Sequence, residues 1–155
     1  MACHRHWLRA HDADGLPTKQ VKQMWEITYS TDIDRIDWDE LKAAVAADDF
    51  DNGRTPEQMR LSAENSAINV FAFAGDEIVG NARALSDGVC NAYLVDVWTK
   101  TPYRKRGIAR RMLETIFERV PGQHIYLSAG EDVEDLYEKL GFTRWDVGMG
   151  RVVGH

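Results

Sequence analysis

The chain has little cysteine and no long apolar segment. Its 155 residues include two cysteines, Cys3 and Cys90, whose separation matches neither a disulfide framework nor a zinc site. No apolar run approaches the roughly 20 residues of a membrane span, and residues 1–15 lack the apolar stretch of a signal peptide. These absences predict a cytoplasmic protein that does not interact with a membrane.

The two commonest phosphate-binding motifs are also missing. The chain contains no GxxxxGK[ST] and no GxGxxG after a predicted strand. It has no internal repeat or low-complexity segment, and its composition, 44% apolar and 28% charged, is that of a globular protein. We therefore expect one domain over residues 1–155.

Negative charge is concentrated in the first third of the chain. The net charge is −6, and residues 1–58 hold seven Lys or Arg against twelve Asp or Glu. Such a run is usually the solvated face of a helix with its loops, and the alternative is a mouth that attracts cationic amines. A nucleic-acid groove is not expected, because the basic cluster described below is short and the chain is acidic.

Periodicity predicts the local structure of the first 65 residues. A strand is expected at His4–Arg9, and apolar spacing predicts a helix with Val21, Met24, Trp25 and Thr28 on one side. Asp37 can cap a second helix, which continues to Asp48 and is broken by residues 51–53. A third helix is expected at Pro56–Asn65.

The remaining pattern predicts a meander, a helix and a crossover. Strand, helix and strand between residues 91 and 129 imply two parallel strands with a right-handed connection. The predicted fold class is therefore α/β (α+β), a mixed, mostly antiparallel twisted sheet flanked by helices. The expected elements are strands at Ile68–Ala74, Ile78–Leu85, Asn91–Thr99 and Gln123–Ala129, and helices from Gly107 and over Asp132–Leu140, the last ended by Gly141.

Five cations lie within eight residues of this acidic chain, around Gly107-Ile108-Ala109. The apolar spacing after Gly107 places them at the start of a helix, where the dipole disfavours cations. Free amide N–H groups and surplus positive charge at one point are typical of a phosphate site. The cluster therefore predicts a phosphorylated ligand held near Arg104, Lys105, Arg106, Arg110 and Arg111.

The cluster and its neighbours carry a family resemblance. Residues 104–109 fit R/Q-x-x-G-x-G/A, which resembles the pyrophosphate-binding motif of the GNAT superfamily of acyl-CoA-dependent N-acyltransferases. Residues 91–99 stand where that family has its central strand, and residues 135–142 resemble its (F/L)YxxxGF signature. Residues 83–88 with Asp96-Val97 are similar to the branch containing plant-type serotonin N-acetyltransferases. Two departures are Lys105, in place of a common glycine, and Gly130, in place of a common asparagine.

This resemblance implies a function and a site. The chain would bind acetyl-CoA and transfer its acetyl group to a primary amine, with the acceptor side mainly in residues 1–66 and the acetyl-CoA side mainly in 91–142. Tyr137 would act as general acid toward the thiolate, and Asp96 as general base, usually through water. Backbone groups of β-strand residues would hold the pantetheine arm, and amides at the helix start the pyrophosphate. The implied cofactor-binding residues are Val97, Trp98, Thr99, Arg104, Lys105, Arg106, Gly107, Ile108, Ala109 and Arg110.

Each implied role has a structural alternative. Tyr137 could be a core aromatic, and an ion pair would suffice to explain Asp96 in an interior strand. Strand alternation predicts that Asp96 lies beside Leu94 and Trp98. The spaced tryptophans Trp25, Trp38, Trp98 and Trp145 could line an acceptor pocket but are more typical of a core.

The whole-protein prediction has alternatives as well. A non-catalytic acyl-CoA-binding or sensing domain would keep the same fold, and the basic cluster could instead contact nucleic acid. No metal is expected, because Cys3, His4, His6 and His11 lie near a terminus without a second cluster. The expected partner is a small-molecule amine, and a second subunit could complete the short C-terminal hairpin to form a homodimer.

Overall fold

The computed structural model describes residues 26–145. Five strands form one sheet in the order β1-β2-β3-β4-β5. Three longer helices and one short helix flank the sheet. The strands are β1 Ile27–Ser30, β2 Ile68–Ala74, β3 Glu77–Ser86, β4 Asn91–Thr99 and β5 His124–Tyr126, and the helices are α1 Trp38–Ala47, α2 Pro56–Glu64, α3 Ile108–Phe117 and α4 Glu134–Glu138.

The strand pairing confirms the predicted mixed sheet. β1 to β4 pair antiparallel, and β4 pairs parallel with β5 through α3, which connects them. The last strand is shorter than predicted, since β5 covers residues 124–126 and pairs only with Asn91, Ala92 and Tyr93. Residues 94–99 of β4 therefore continue without a β5 neighbour, and the two parallel strands diverge.

Local capping signals explain where the first two helices begin. The Asp37 carboxylate accepts hydrogen bonds from the amides of Asp39 and Glu40 at 3.0 Å, as predicted for the start of α1. Thr55 and Gln58 form a reciprocal capping box at the start of α2, with Pro56 in its first turn. Both boundaries are therefore set by residues within one helical turn.

The sheet separates two apolar cores. On one face, α3 places Ile108, Met112, Leu113 and Ile116 against small and branched residues of β2, β3 and β4. On the other face, α1 packs Leu41 and Val45 against aromatic residues of the sheet. We call these the α3 core and the α1 core. The α1 core also contains Ile36, Phe71, Phe73, Ile78 and Trp98.

The end of α4 forms a Schellman motif. The amide of Phe142 donates to the Tyr137 carbonyl at 3.0 Å, and the amide of Gly141 donates to Glu138 at 3.0 Å. Gly141 has φ of 89°, so the predicted left-handed cap is confirmed. The rings of Tyr137 and Phe142 meet edge to face at 5.7 Å. The predicted helix over 132–140 is shorter, because a 3-10 turn over Glu131–Val133 precedes α4.

Several predictions for the N-terminal part are wrong or fall outside the described residues. Thr28, predicted on a helix face, lies in β1, where pairing with Phe73 overrides local periodicity. The predicted strand at His4–Arg9 and the helical positions Val21, Met24 and Trp25 lie outside the described residues.

Cys90 is exposed and free, whereas Cys3 lies outside the described residues. None of the helices between residues 26 and 145 has the length and apolar character that crossing a bilayer requires.

Candidate active site

The start of α3 offers uncapped amides beside a cluster of cations. Gly107 is the N-cap, with φ of 80°, and among the described residues no side chain caps the helix. The first turn contains no acidic residue, so the N–H groups of Ile108 and Ala109 and the positive end of the helix dipole are available to an anion. Lys105, Arg106 and Arg110 are exposed around this point. We call residues 104–110 the cradle.

Arg104 anchors the cradle to the rest of the fold. Its amide donates to the Thr101 carbonyl at 3.2 Å, and its guanidinium donates to the Thr99 carbonyl and to Asp48 at 2.9 and 2.8 Å. The Arg104 amide was predicted to help hold a pyrophosphate, but it already donates a hydrogen bond within the loop. A phosphate at this point would meet the amides at the helix start, with Lys105, Arg106 and Arg110 exposed beside them.

Asp48 links α1, β4 and the loop before the cradle. Its carboxylate accepts hydrogen bonds from Trp98 Nε1 at 2.9 Å, from the amide of Thr101 at 3.1 Å and from Arg104. The side chain is only 10% exposed. Burial raises the pKa of Asp48, but the hydrogen bonds from Thr101 and Trp98 and the charge of Arg104 outweigh it, and its pKa lies below the usual value.

We expect Asp48→Ala to destabilise the fold by about 1–3 kcal/mol, since it leaves the buried Trp98 indole N–H and the Thr101 amide without an acceptor. Because the folded pKa of Asp48 is lowered, this contribution is present above the unfolded pKa, near 3.9. It is lost as pH falls through the folded pKa. Urea unfolding at pH 7 and pH 3 measures both effects, and Glu40→Ala on the exposed face of α1 is the control. A deficit of equal size at both pH values would contradict this assignment.

Glu77 provides a second anchor for the same loop. Its carboxylate accepts hydrogen bonds from Lys100 Nζ at 2.5 Å and from the Tyr103 hydroxyl at 2.8 Å. The hydrogen bond from Lys100 lowers the pKa of Glu77, and the hydrogen bond to Glu77 raises the pKa of Tyr103. Lys100 and Tyr103 thus tie both ends of the loop that leads into the cradle to Glu77 of β3.

Asp96 lies in a β-bulge of β4. Arg83 pairs with Val95 and Asn81 with Trp98, so two residues of β4 stand opposite one residue of β3. Asp96 has φ of 54°, in the left-handed region that is unfavourable for most side chains but tolerated by Asp.

The bulge changes which side chains of β4 share a face, so part of the predicted alternation is wrong. Leu94 packs in the α3 core, whereas Trp98 packs in the α1 core. Asp96 faces the α1 side with Trp98, and Val97 packs against the α3 core. The predicted neighbourhood of Asp96 is therefore right for Trp98 and wrong for Leu94, because the extra residue shifts the alternation by one.

Two arginines hold the Asp96 carboxylate. Arg54 donates through both terminal nitrogens, with NH1 at 2.8 Å, and Arg83 donates through Nε at 2.6 Å. The Asp96 side chain is 20% exposed. Burial raises its pKa, but the hydrogen bonds and charges of Arg54 and Arg83 outweigh this, so the pKa of Asp96 lies below the usual value. The carboxylate is ionised at neutral pH, and the ion-pair alternative considered from the sequence is present.

Tyr137 projects from α4 onto the α3 core. Burial raises its pKa, so its phenol keeps its proton at neutral pH. It lines an open groove of about 1080 Å³ together with Tyr93, the segment 123–130 and Phe142. A protonated phenol at the wall of a groove can donate a hydrogen bond or a proton.

The structure does not bring Tyr137, Asp96 and the cradle into one cavity. Tyr137 lines the groove beside β5, and Asp96 lines a separate cavity on the α1 side of the sheet. Both the groove and the cavity are lined by residues of β4, and residues 94–99 of this strand have no β5 partner. A ligand in the cleft between the diverging strands would lie next to this segment of β4.

Several polar residues at this site were missed by sequence reasoning. Arg54, Asn69, Asn81 and Asp48 are all within the α1 side of the structure. A signal was available for the two asparagines, because each interrupts an apolar strand. Arg54 and Asp48 gave no such signal, since their partners Asp96 and Trp98 lie 42 and 50 residues away.

Other sequence predictions resolve into structural roles. Many acidic side chains of the N-terminal third are used in caps and ion pairs, including Asp32, Asp37 and Asp51. Trp98 is 1% exposed and belongs to the α1 core, Trp38 packs against the same core, and Trp145 is 71% exposed. The described residues contain no group of three or more His, Cys, Asp or Glu that could hold a metal ion. Cys3, His4, His6, His11 and Trp25 lie outside that region.

Solved structures share this fold. A protein of unknown function from meticillin-resistant Staphylococcus aureus is 19% identical with a TM-score of 0.72, covering 84% of this chain and 100% of its own. A Xanthomonas campestris protein assigned to the GNAT family is 23% identical with a TM-score of 0.71, covering 84% and 95%. A Clostridium acetobutylicum protein, described as a predicted acetyltransferase and solved with acetyl-CoA, is 18% identical with a TM-score of 0.64, covering 83% and 97%.

The comparison with curated proteins gives no match. The model of the acetyltransferase (GNAT) family matches residues 28–142, which include every strand and helix described above except the first residue of β1. The chain belongs to the GNAT acetyltransferase family.

Proposed function

We propose that this protein transfers the acetyl group of acetyl-CoA directly to a primary amine. The uncapped start of α3, next to the diverging strands β4 and β5, is the observation that carries the proposal. In this reaction the amine nitrogen forms a bond to the acetyl carbon while the carbon–sulfur bond breaks. The amine loses one proton and the departing thiolate gains one.

The residues present fit coenzyme A. Amides at the start of α3 and the cations Lys105, Arg106 and Arg110 would hold the pyrophosphate. Backbone groups of Val97, Trp98 and Thr99 would hold the pantetheine arm as an added strand. Among the described residues, Thr99 Oγ1 is buried without a hydrogen-bond partner, which is consistent with a ligand there. When bound, the cofactor supplies an acyl thioester, a carbonyl that an amine can attack.

Deprotonation of the acceptor explains why a carboxylate is useful. An alkylamine with a pKa of about 10 is neutral about once in a thousand near pH 7, so deprotonation costs roughly 4 kcal/mol. Asp96 is ionised and would accept this proton through water, although its low pKa makes it a weak base. Tyr137 would donate to the sulfur as it departs.

The acceptor proposed here is a small amine. Similarity of residues 83–88 and Asp96-Val97 to the plant-type serotonin N-acetyltransferase branch supports an arylalkylamine, and the net charge of −6 supports a cationic acceptor. A panel of arylalkylamines, polyamines and lysine peptides, assayed for thiol release from acetyl-CoA, tests the proposal. Cofactor binding without amine-dependent thiol release would instead support a non-catalytic acyl-CoA sensor.

We expect Ala109→Glu to raise the Kd for coenzyme A at least about tenfold, because a carboxylate in the first turn of α3 repels the pyrophosphate. The same charge is favourable to the helix dipole, so the Tm should not fall. Calorimetric titration with coenzyme A and a thermal melt measure the two effects. Thr115→Glu, later in the same helix, is the matched control. Equal affinity in Ala109→Glu and wild type would place the pyrophosphate elsewhere.

A further inference from the structure

A small cavity, lined mostly by apolar side chains with a few polar ones, lies between α1, α2 and the sheet, apart from the cradle and from the groove beside β5. Its volume is about 30 Å³, enough for one or two water-sized groups. Phe50, Asn52 and Arg54 line it from the loop between α1 and α2. Asn69 and Asn81 line it from the sheet, next to Arg83 and Asp96.

Two asparagines of the cavity wall carry hydrogen-bond acceptors that have no partner among the described residues. Asn69 and Asn81 are 9% and 8% exposed. Asn69 Nδ2 donates to the Ala63 carbonyl at 2.9 Å, and Asn81 Nδ2 donates to the Asp96 carbonyl at 3.1 Å. Exchanging nitrogen and oxygen would bring two acceptors together in each case, so both amide orientations are fixed. Within residues 26–145, neither Oδ1 has a hydrogen-bond partner.

The two asparagines lie on the same face of the sheet. Asn69 and Phe71 belong to the face of β2 that packs in the α1 core, and they pair with Arg83 and Asn81 of β3. Asn69 and Asn81 are therefore diagonal neighbours on one face, typically about 7–8 Å apart. A buried acceptor without a donor is unfavourable. Two of them on one cavity wall indicate an occupant that carries an N–H or O–H group.

The charges around the cavity select among such occupants. Arg54 and Arg83 face one carboxylate, Asp96, which leaves one positive charge and disfavours a cation. An anionic oxygen would meet the asparagine oxygens, which are acceptors and cannot donate to it. A methyl group would leave both oxygens unsatisfied. An uncharged hydroxyl fits the volume of the cavity, carries no charge and can donate a hydrogen bond to an asparagine oxygen.

We propose that this cavity recognises a hydroxyl group of the acceptor, so that the preferred substrates are hydroxylated amines. This inference rests on the proposed acetyl transfer and specifies its substrate class. The reacting amine lies outside the cavity, and the distal hydroxyl enters past Phe50 and Arg54 to donate to Asn69 or Asn81. An alkylamine of equal length cannot donate such a hydrogen bond, and it leaves both asparagine oxygens buried and unpaired.

The test compares four series of primary amines of three to six carbons with acetyl-CoA as donor. The distal group is a hydroxyl, a methyl, a methoxy or a carboxylate, as in 4-amino-1-butanol, pentylamine, 4-methoxybutylamine and 5-aminopentanoate. We expect kcat/KM for the amino alcohol of best length to exceed that of its alkylamine about 5- to 100-fold. The methoxy and carboxylate series should show no such gain.

Variants locate this preference in the cavity. Asn69→Leu and Asn81→Leu keep the side-chain size but remove the acceptor, and each should reduce the ratio of amino alcohol to alkylamine toward one. The ratio is independent of the fraction of folded enzyme, and if one variant does not fold the other gives the same readout. Asn65→Leu, at the exposed end of α2, is the control and should keep the wild-type ratio.

The outcomes separate this inference from the proposed function. Acetyl transfer to all amines with equal kcat/KM in the wild type would overturn the inference, with water alone in the cavity, and leave the function intact. Calorimetric titration of 4-amino-1-butanol into protein saturated with coenzyme A provides a readout without turnover. The wild type could bind 4-amino-1-butanol, with Asn81→Leu weakening this binding at least about tenfold, while no amine is acetylated. That result would support hydroxyl recognition in the cavity and refute the proposed acetyl transfer. Absence of both binding and preference would refute the inference.

Discussion

Tyr137→Phe is expected to lower kcat about 100-fold or more, while the Kd for coenzyme A stays within about twofold. The substitution removes only the phenolic hydroxyl. The ring keeps its edge-to-face contact with Phe142, and the Schellman motif depends on backbone atoms and Gly141. Burial raises the pKa of Tyr137, so the hydroxyl carries a proton at neutral pH. Its loss therefore removes a donor to the departing sulfur without altering the fold.

The pKa values indicate how this donor acts. A free thiol has a pKa near 8.5 and a free tyrosine one near 10, and burial raises the pKa of Tyr137 further, so complete proton transfer from Tyr137 to the thiolate is unfavourable. A hydrogen bond that strengthens as negative charge develops on sulfur gives the larger part of the benefit.

Single-turnover and steady-state kinetics with acetyl-CoA measure the effect of Tyr137→Phe. The matched control is Tyr29→Phe, a second tyrosine whose pKa burial raises and which packs against the same core from β1. An unchanged single-turnover rate in Tyr137→Phe would exclude the acid role. A fall of equal size in Tyr29→Phe would show that the effect arises from packing.

Asp96→Asn is expected to reduce both catalysis and stability. Loss of the base should lower kcat/KM about 100-fold near pH 7. The deficit should grow from pH 9 toward pH 5, because fewer amine molecules are neutral and deprotonation depends more on Asp96. Since the pKa of Asp96 is lowered, the carboxylate stays ionised throughout this range. A pH profile of kcat/KM parallel to that of the wild type would exclude the base role.

Stability should respond to the same substitution with a different pH dependence. Asp96→Asn leaves Arg54 and Arg83 without their counterion, and breaking a buried ion pair costs about 3 kcal/mol or somewhat less at this partly exposed site. The folded pKa of Asp96 is lowered, so its contribution is present above the unfolded pKa near 3.9 and disappears as pH falls through the folded pKa. The difference in unfolding free energy should therefore be constant from pH 5 to 8 and shrink below about pH 4.

Two further variants separate these effects. Asp51→Asn changes a carboxylate of the α1–α2 loop that pairs with half-buried Lys42, and it should preserve kcat/KM. Arg54→Gln retains Asp96 but removes one of its two cations, which should move its pKa upward. Loss of stability in Asp96→Asn with unchanged kcat/KM would mean that the ion pair with Arg54 and Arg83 is structural and that another group accepts the proton.

Short-range features were predictable from the sequence. Asp37 caps α1 through amides two and three residues away, and β4 has the predicted bounds Asn91–Thr99. Gly141 has the expected left-handed conformation, and Phe142 folds back on Tyr137. Each of these follows from interactions within a few residues, for which capping and periodicity rules hold. The basic cluster at the start of α3 belongs to the same class.

Long-range pairing was not predictable. The carboxylate of Asp48 meets Arg104 across 56 residues, and Asp96 meets Arg54 across 42. The bulge in β4 depends on its register with β3, so no periodicity within β4 reveals it. Thr28 fits a helical pattern yet lies in β1, because β2 offers it a strand partner.

The division has a physical basis in the range of the interactions. Helix starts, turns, the uncapped amides of α3 and the family motif around Gly107 are set by neighbouring residues, and they can be read from the printed chain. The partners of Asp96, the two unpaired asparagine oxygens and the cleft between β4 and β5 arise only when distant segments pack on one sheet. The first group predicts an anion site at the start of α3. The second group carries the proposals about the base and the acceptor.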